Sequence, residues 1–249
     1  MIRDLVYNDK SLRSIGFLPS ETEPFIQAER DVIIEDIAGR NGALVQDYGS
    51  YKNIELSYTI NSFPYWLENK SDSEIVNNLT DWFFNYGNYK LLRDLATPDY
   101  FYYAIPKSIE KIEKVAYKTF ITTITFSCKP FKYYYNGMIP REKRETNHSI
   151  TMQLNNPTIY NSEPYIKVET NGAFDLYVNN DLIIISGCSG YIEIDKEKEN
   201  VFKDDIDLNS FVNCDYLPNL KSGLNTITAV SNTSNNIIAL TVIPRWRRL

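Results

Sequence analysis

Residues 31–47 read DVIIEDIAGRNGALVQD. A β-branched run, Val32-Ile33-Ile34, gives way at Gly39-Arg40-Asn41-Gly42 and resumes as Ala43-Leu44-Val45. Such residues suit a pleated strand, and the two glycines supply the left-handed backbone that a tight tip needs. The segment reads as a long β-hairpin with a charged residue, Arg40, at its end. Its walls (Val32, Ile33, Ile34, Ile37, Leu44 and Val45) are apolar on both arms. Nothing in it looks like catalysis, so its purpose has to come from the surrounding chain.

Working outward, NIELSYTI (53–60) is expected to continue the hairpin region. KTFITTITFSC (118–128) alternates, with Phe120, Ile124, Phe126 and Cys128 on one side and mostly Thr and Ser on the other. DYFYYAIP (99–106) is a plausible antiparallel neighbour. One segment reads as helix, about 71–86 within SDSEIVNNLTDWFFNYG. Ser71 followed by Glu74 is a capping box. Ile75, Val76, Leu79, Trp82, Phe83 and Tyr86 then recur at helical spacing, and Gly87 is placed to end the helix. The first half is therefore a sheet with one helix laid on it.

Composition shifts across PFKYYYNGMIPREKRETNHS (130–149), where prolines, a glycine and a REKR charge cluster interrupt the apolar pattern. The seam falls here, giving expected domains 1–135 and 136–249. After it come short strands between turn signals: SITMQL, YIKVET, FDLYV, LIIIS, YIEID, NTITAVS and IIALTVIP. That spacing indicates an antiparallel sandwich. Asn pairs such as Asn179-Asn180 replace glycine in turns, since Asn tolerates left-handed backbone. The fold class is mainly β in two domains.

The formal charge of −6 argues against a general nucleic-acid binder, which needs a cationic face. The opening MIRDLVYNDKSLRS has charges at positions 3 and 4 and no apolar core, so no signal peptide is expected. No apolar run is long enough to span a bilayer. Three distant cysteines, Cys128, Cys188 and Cys214, fit a reducing compartment, with Cys128 as a small core residue.

Catalytic machinery is hard to assemble from these residues. The single histidine, His148, lies in the polar seam without strand–turn–helix context. SGCSGY (186–191) fails as a nucleophile elbow because Tyr191 stands where glycine is required. No zinc cluster is present. Asp205, Asp207 and Asn209 have calcium-loop offsets, but Ser210 and Tyr216 occupy positions that need Gly and Glu. GRNG lacks the Lys-Ser/Thr of a phosphate loop. A glycosidase carboxylate pair is harder to exclude. Glu35, Asp36 and Asp195 have the most apolar flanks and are expected on solvated strand faces. No catalytic residue, metal or cofactor is assigned, and the pattern points to binding or assembly.

Four segments carry a resemblance. These are IEDIAGRNG (34–42), the run from Trp82-Phe83 through Tyr89-Lys90-Leu91 to Tyr102, FSCKPFKYYY (126–135), and LPNLKSGLNTI (217–227) with the ending IPRWRRL. In this order they resemble the distal tail proteins of long-tailed bacteriophages, the family called Dit. The resemblance implies a tail-tube-like first domain, a β-sandwich with one helix and the hairpin. It implies a galectin-like or carbohydrate-module-like sandwich as the second. It also implies a homo-oligomeric ring, usually a hexamer, at the virion tail tip, made in the host cytoplasm. The ring would join the tail tube protein to the tail-tip hub/tail-associated lysin protein, with a receptor-binding protein as an optional further partner, without a membrane. DNA would pass through without specific binding, helped by the acidic balance.

On that reading the hairpin walls are ring-interface residues: Ile33, Ile34, Ile37, Leu44 and Val45, with Gly39 and Gly42 shaping the tip. Arg40 reaches an acidic or carbonyl partner across the junction or stays solvated. The rival reading is a carbohydrate-binding module for host wall polysaccharide, using Tyr165, Tyr177, Tyr191 and Tyr216 as stacking residues. A tail-associated hydrolase is a third.

Overall fold

The computed structural model describes residues 3–20, 26–85 and 87–249. The chain divides into two compact units, Met1–Lys132 with Leu249, and Tyr133–Arg248. Sheet dominates both.

In the first unit the main sheet runs Lys10–Ser11, Leu5–Tyr7, Lys90–Asp94, Tyr100–Ile109, Thr119–Tyr134, Ile54–Ser62, Phe17–Pro19. The long strand Thr119–Tyr134 sits near its middle. Register pairs Ile124 with Tyr58, Phe126 with Leu56 and Cys128 with Ile54. Opposed residues share a face, and all six are buried in one core. The strand Ile54–Ser62 therefore belongs to this sheet, a correction to its expected place with the hairpin. Its alternating Ile54, Leu56, Tyr58 and Ile60 require a core face, and a two-stranded ribbon has none.

The helix spans Asp72–Phe84, slightly shorter than expected, and Tyr86 lies outside the described residues. Its capping box is formed: Glu74 N–H donates to Ser71 Oγ at 3.2 Å and Ser71 N–H donates to Glu74 Oε2 at 3.3 Å. Ile75, Leu79, Trp82 and Phe83 are its buried face. The Phe83 ring meets Phe126 at 4.9 Å, and the Trp82 indole N–H donates to the Lys10 carbonyl at 3.0 Å. Each full burial of this kind contributes about 1.5–3 kcal/mol. A one-turn helix, Pro64–Leu67, precedes it. Pro64 suits a first helical position, where its missing N–H costs nothing.

The second unit is a sandwich. One sheet runs Arg141–Asn147, Ile237–Ile243, Tyr165–Asn171, Ser189–Asp195, Asn200–Lys203, Ile206–Asp207. The other runs Ser149–Asn156, Gly223–Ser231, Phe174–Val178, Asp181–Ile185, Val212–Asn213. Their inner faces share one core containing Val168, Ile192 and Leu240 from the first and Ile150, Leu176 and Ile227 from the second. Asn179 takes a φ of +57° in the two-residue turn between Val178 and Asp181.

Two expectations are corrected here. The REKR cluster is an edge strand rather than an interruption, pairing with Ile237–Ile243. Charges along an outer strand are compatible with pairing on its inner side and discourage further association. Asp195 is buried, not solvated. Arg245 reaches it with both terminal nitrogens, which is why a carboxylate can sit there. Glu35 and Asp36 are exposed.

Candidate functional site

The hairpin forms a two-stranded sheet of its own, Arg30–Asp36 against Ala43–Tyr51. Register pairs Ile33 with Gln46, Ile34 with Val45, and Glu35 with Leu44. Alternation then places Val32, Ile34, Ala43 and Val45 on one face with Asp36 and Asp47. Ile33 and Leu44 lie on the other with Glu35 and Gln46. Ile34 is 65% and Val45 58% exposed, and Ile33, Ile37 and Leu44 are also exposed. Neither face has a core behind it. A lone two-stranded ribbon is marginal in water, and this one carries exposed apolar side chains on both faces.

Both ends of the ribbon are shaped by specific contacts. At the tip, Arg40 N–H donates to the Ile37 carbonyl at 3.1 Å. This closes a four-residue turn whose third position, Gly39, has a φ of +81°, a type II requirement. A side chain there would meet no atom, so the need for glycine is conformational. Among the described residues the Arg40 side chain has no hydrogen bond or ion pair. At the root, Arg30 Nη2 lies 2.6 Å from Asp47 Oδ2, and Gly49 N–H donates to Asp47 Oδ1 at 2.8 Å. The Gly49 bond first and Arg30 second hold the Asp47 carboxyl below the usual carboxylate range.

The eight predicted interface residues thus occur together on one exposed ribbon. An aromatic group in the same unit was not read from the sequence. Phe63, Tyr65 and Trp66 are exposed around the one-turn helix, and the Arg13 guanidinium carbon lies 4.9 Å from the Trp66 ring centroid. The one available signal was Pro64 as a helix start; three consecutive turns' worth of periodicity would have been needed to show which way the rings face.

The four tyrosines are not gathered onto one platform. Tyr165 and Tyr191 lie on the outer face of the six-stranded sheet. The Tyr165 hydroxyl donates to Glu193 and that of Tyr191 to Asp204. Burial first, then Glu193, raise the Tyr165 pKa, and the bond to Asp204 is the main reason that of Tyr191 is pushed up to about 12. Lys167 Nζ sits 3.9 Å and Lys203 Nζ 5.0 Å from the Tyr191 ring centroid. Tyr177 belongs to the other sheet, opposite Leu182. Tyr216 lies in a loop and donates to Asp181 Oδ1 at 3.2 Å.

Other chemistry is sparse. A cavity of about 300 Å³ at one end of the sandwich is lined by Cys188, Lys203, Ile206, Leu208 and Phe211, and no carboxylate or imidazole enters it. Burial pushes the Cys188 and Cys214 thiols up, away from nucleophilic character. His148 is an exposed residue between two strands. Among the described residues no three metal-capable side chains converge, and no helix is long and apolar enough to cross a membrane.

The class defined by this architecture is a mainly antiparallel β protein with a helix-backed sheet, an exposed hairpin and a separate sandwich. The crystal structure of the SPP1 Dit (gp 19.1) protein is similar across the full length of both chains. The match has a TM-score of 0.72 at 14% identity. That structure is described as a paradigm of the hub adsorption apparatus in phages that infect Gram-positive bacteria. The fold is Dit-like. No family model and no curated protein matches the sequence.

Proposed function

We propose that this chain is a structural hub protein of a phage tail tip. Identical copies form a closed homo-oligomeric ring, a hexamer, that joins the tail tube to the tip proteins and passes DNA. The observation that carries this reading is the ribbon with Ile34 and Val45 exposed on one face and Ile33 and Leu44 on the other. A head-to-tail interface with rotational closure covers such a surface in every copy without leaving a free end. The Dit-like fold of the whole chain supports the same role. The carbohydrate reading has less behind it, since its four tyrosines are divided between two sheets and a loop and three of them spend their hydroxyls on acidic neighbours.

Negative-stain microscopy of the purified chain tests the proposal. Rings with a central opening are expected. Dispersed single particles at every concentration, with glycan binding by the purified chain, would replace it with the carbohydrate role.

A further inference from the structure

We infer that the surface receiving the hairpin is the aromatic ledge of a second copy, made of Arg13, Phe63, Tyr65 and Trp66. This rests on the ring reading and names its missing half, because a head-to-tail interface needs two different patches on each subunit.

The Phe63, Trp66 and Arg13 part of the ledge is packed together. Phe63 and Trp66 rings pack at 5.0 Å, and Arg13 lies over the indole. Phe63 N–H donates to the Gly16 carbonyl at 2.9 Å. Gly16, with a φ of +93°, sits so close to Leu67 that a Cβ there would approach its side chain to 2.5 Å. The turn carrying Arg13 is thus clamped to the turn carrying the aromatics. Tyr65 is 81% exposed. Packed rings such as Phe63 and Trp66, with little entropy left to lose, are favourable anchors for a partner.

The charges match as well. Among the described residues the Arg13 guanidinium has no carboxylate partner, although Asp4 accepts from the Arg13 backbone N–H at 3.1 Å and exposed Glu68 follows directly after the short helix Pro64–Leu67. Glu35 and Asp36 on the hairpin likewise have no cation. Asp36 shares a face with Ile34 and Val45, the most exposed apolar pair of the ribbon. Laid on the ledge, that face puts two aliphatic side chains on aromatic rings and a carboxylate beside a guanidinium. Both complementary surfaces belong to one chain, which favours a second copy over a foreign partner.

Cross-linking decides the contact. The full-length double variant Val45→Cys, Tyr65→Cys is oxidised mildly and run without reductant, beside the natural chain and each single variant. In a Cys188→Ser, Cys214→Ser background, which removes the two part-exposed native thiols, a ladder of covalent oligomers ending at the ring number is expected from the double variant alone, since a single new thiol then cannot propagate a head-to-tail chain. Charge exchange decides the ion pair. Arg13→Glu is expected to raise the concentration for ring assembly about tenfold, and adding Asp36→Arg to reverse most of that. Rings without a ladder would overturn the ledge and leave the ring intact. Monomers throughout from the natural chain would overturn the ring and this contact together. A ladder without charge rescue would keep the apolar contact and remove the Arg13–Asp36 pair.

Discussion

Arg245 holds Asp195 in a two-pronged grip, Nη1 to Oδ1 at 2.5 Å and Nη2 to Oδ2 at 3.0 Å, with the carboxylate almost fully buried. The pair ties the segment after Ile243 to the strand Ser189–Asp195. Neighbouring bonds extend the tie. Arg245 N–H donates to the Gly137 carbonyl, Tyr134 N–H to the Trp246 carbonyl, and Arg247 Nη1 pairs with Glu163 at 2.9 Å. The ending IPRWRRL is a fastening for the second unit.

Removing one member of a buried pair strands the other charge. Arg245→Ala is expected to destabilise the second unit by about 3–5 kcal/mol, read as a lowered urea midpoint. A double change to Arg245→Met, Asp195→Leu should recover most of the loss.

The same pair sets an acid response. Burial pushes the Asp195 carboxyl up, but the Arg245 hydrogen bond and charge outweigh it, leaving the folded pKa below the ordinary value. Stability from the pair is therefore fully present above about pH 4 and is lost as pH falls through the folded pKa. Denaturation curves at stepped pH should show the natural protein losing stability more steeply below that point than the Met/Leu double variant.

Asn225, wholly buried, makes four hydrogen bonds. Its amide donates to the Lys221 and Gly223 carbonyls at 2.8 and 2.9 Å. Its oxygen accepts from Lys221 N–H at 2.8 Å and Asn179 Nδ2 at 2.9 Å. Asn225→Leu leaves these groups unpaired and is expected to cost about 3 kcal/mol, seen as an early thermal transition. Asn225→Asp keeps the acceptor half but turns a carboxylate with no cation toward the Lys221 and Gly223 carbonyls, so it should cost at least as much.

At the helix start, Ser71→Ala removes one half of the capping box. A loss of about 1 kcal/mol is expected from chemical denaturation, with Ser71→Asp close to the natural protein.

Much of this fold could be read from local chemistry. The capping box, the alternation in Phe120–Cys128 and the sandwich strands all depend on short-range periodicity that the structure keeps. The hairpin, with its eight singled-out residues, was legible because glycine at a tip and β-branched walls are local signals. What escaped depends on distant partners. Asp195 looked solvated because Arg245, which neutralises it, lies fifty positions away. REKR looked like a break because nothing nearby shows that Ile237–Ile243 pairs with it. The strand Ile54–Ser62 was drawn to the hairpin by proximity in sequence, whereas its buried face belongs with Thr119–Tyr134. Arg13 and Trp66 meet across a gap in sequence that no motif bridges.

Light scattering coupled to size exclusion tests the central claim most directly, comparing the natural chain with the Ile34→Glu, Val45→Glu double variant. Both should keep the same far-ultraviolet circular dichroism, because neither residue supports a core. The natural chain is expected at a mass near six times 28.9 kDa, and the double variant as monomer at concentrations up to about a hundredfold higher. An unchanged assembly in the double variant would contradict the account, as would a natural chain that stays monomeric.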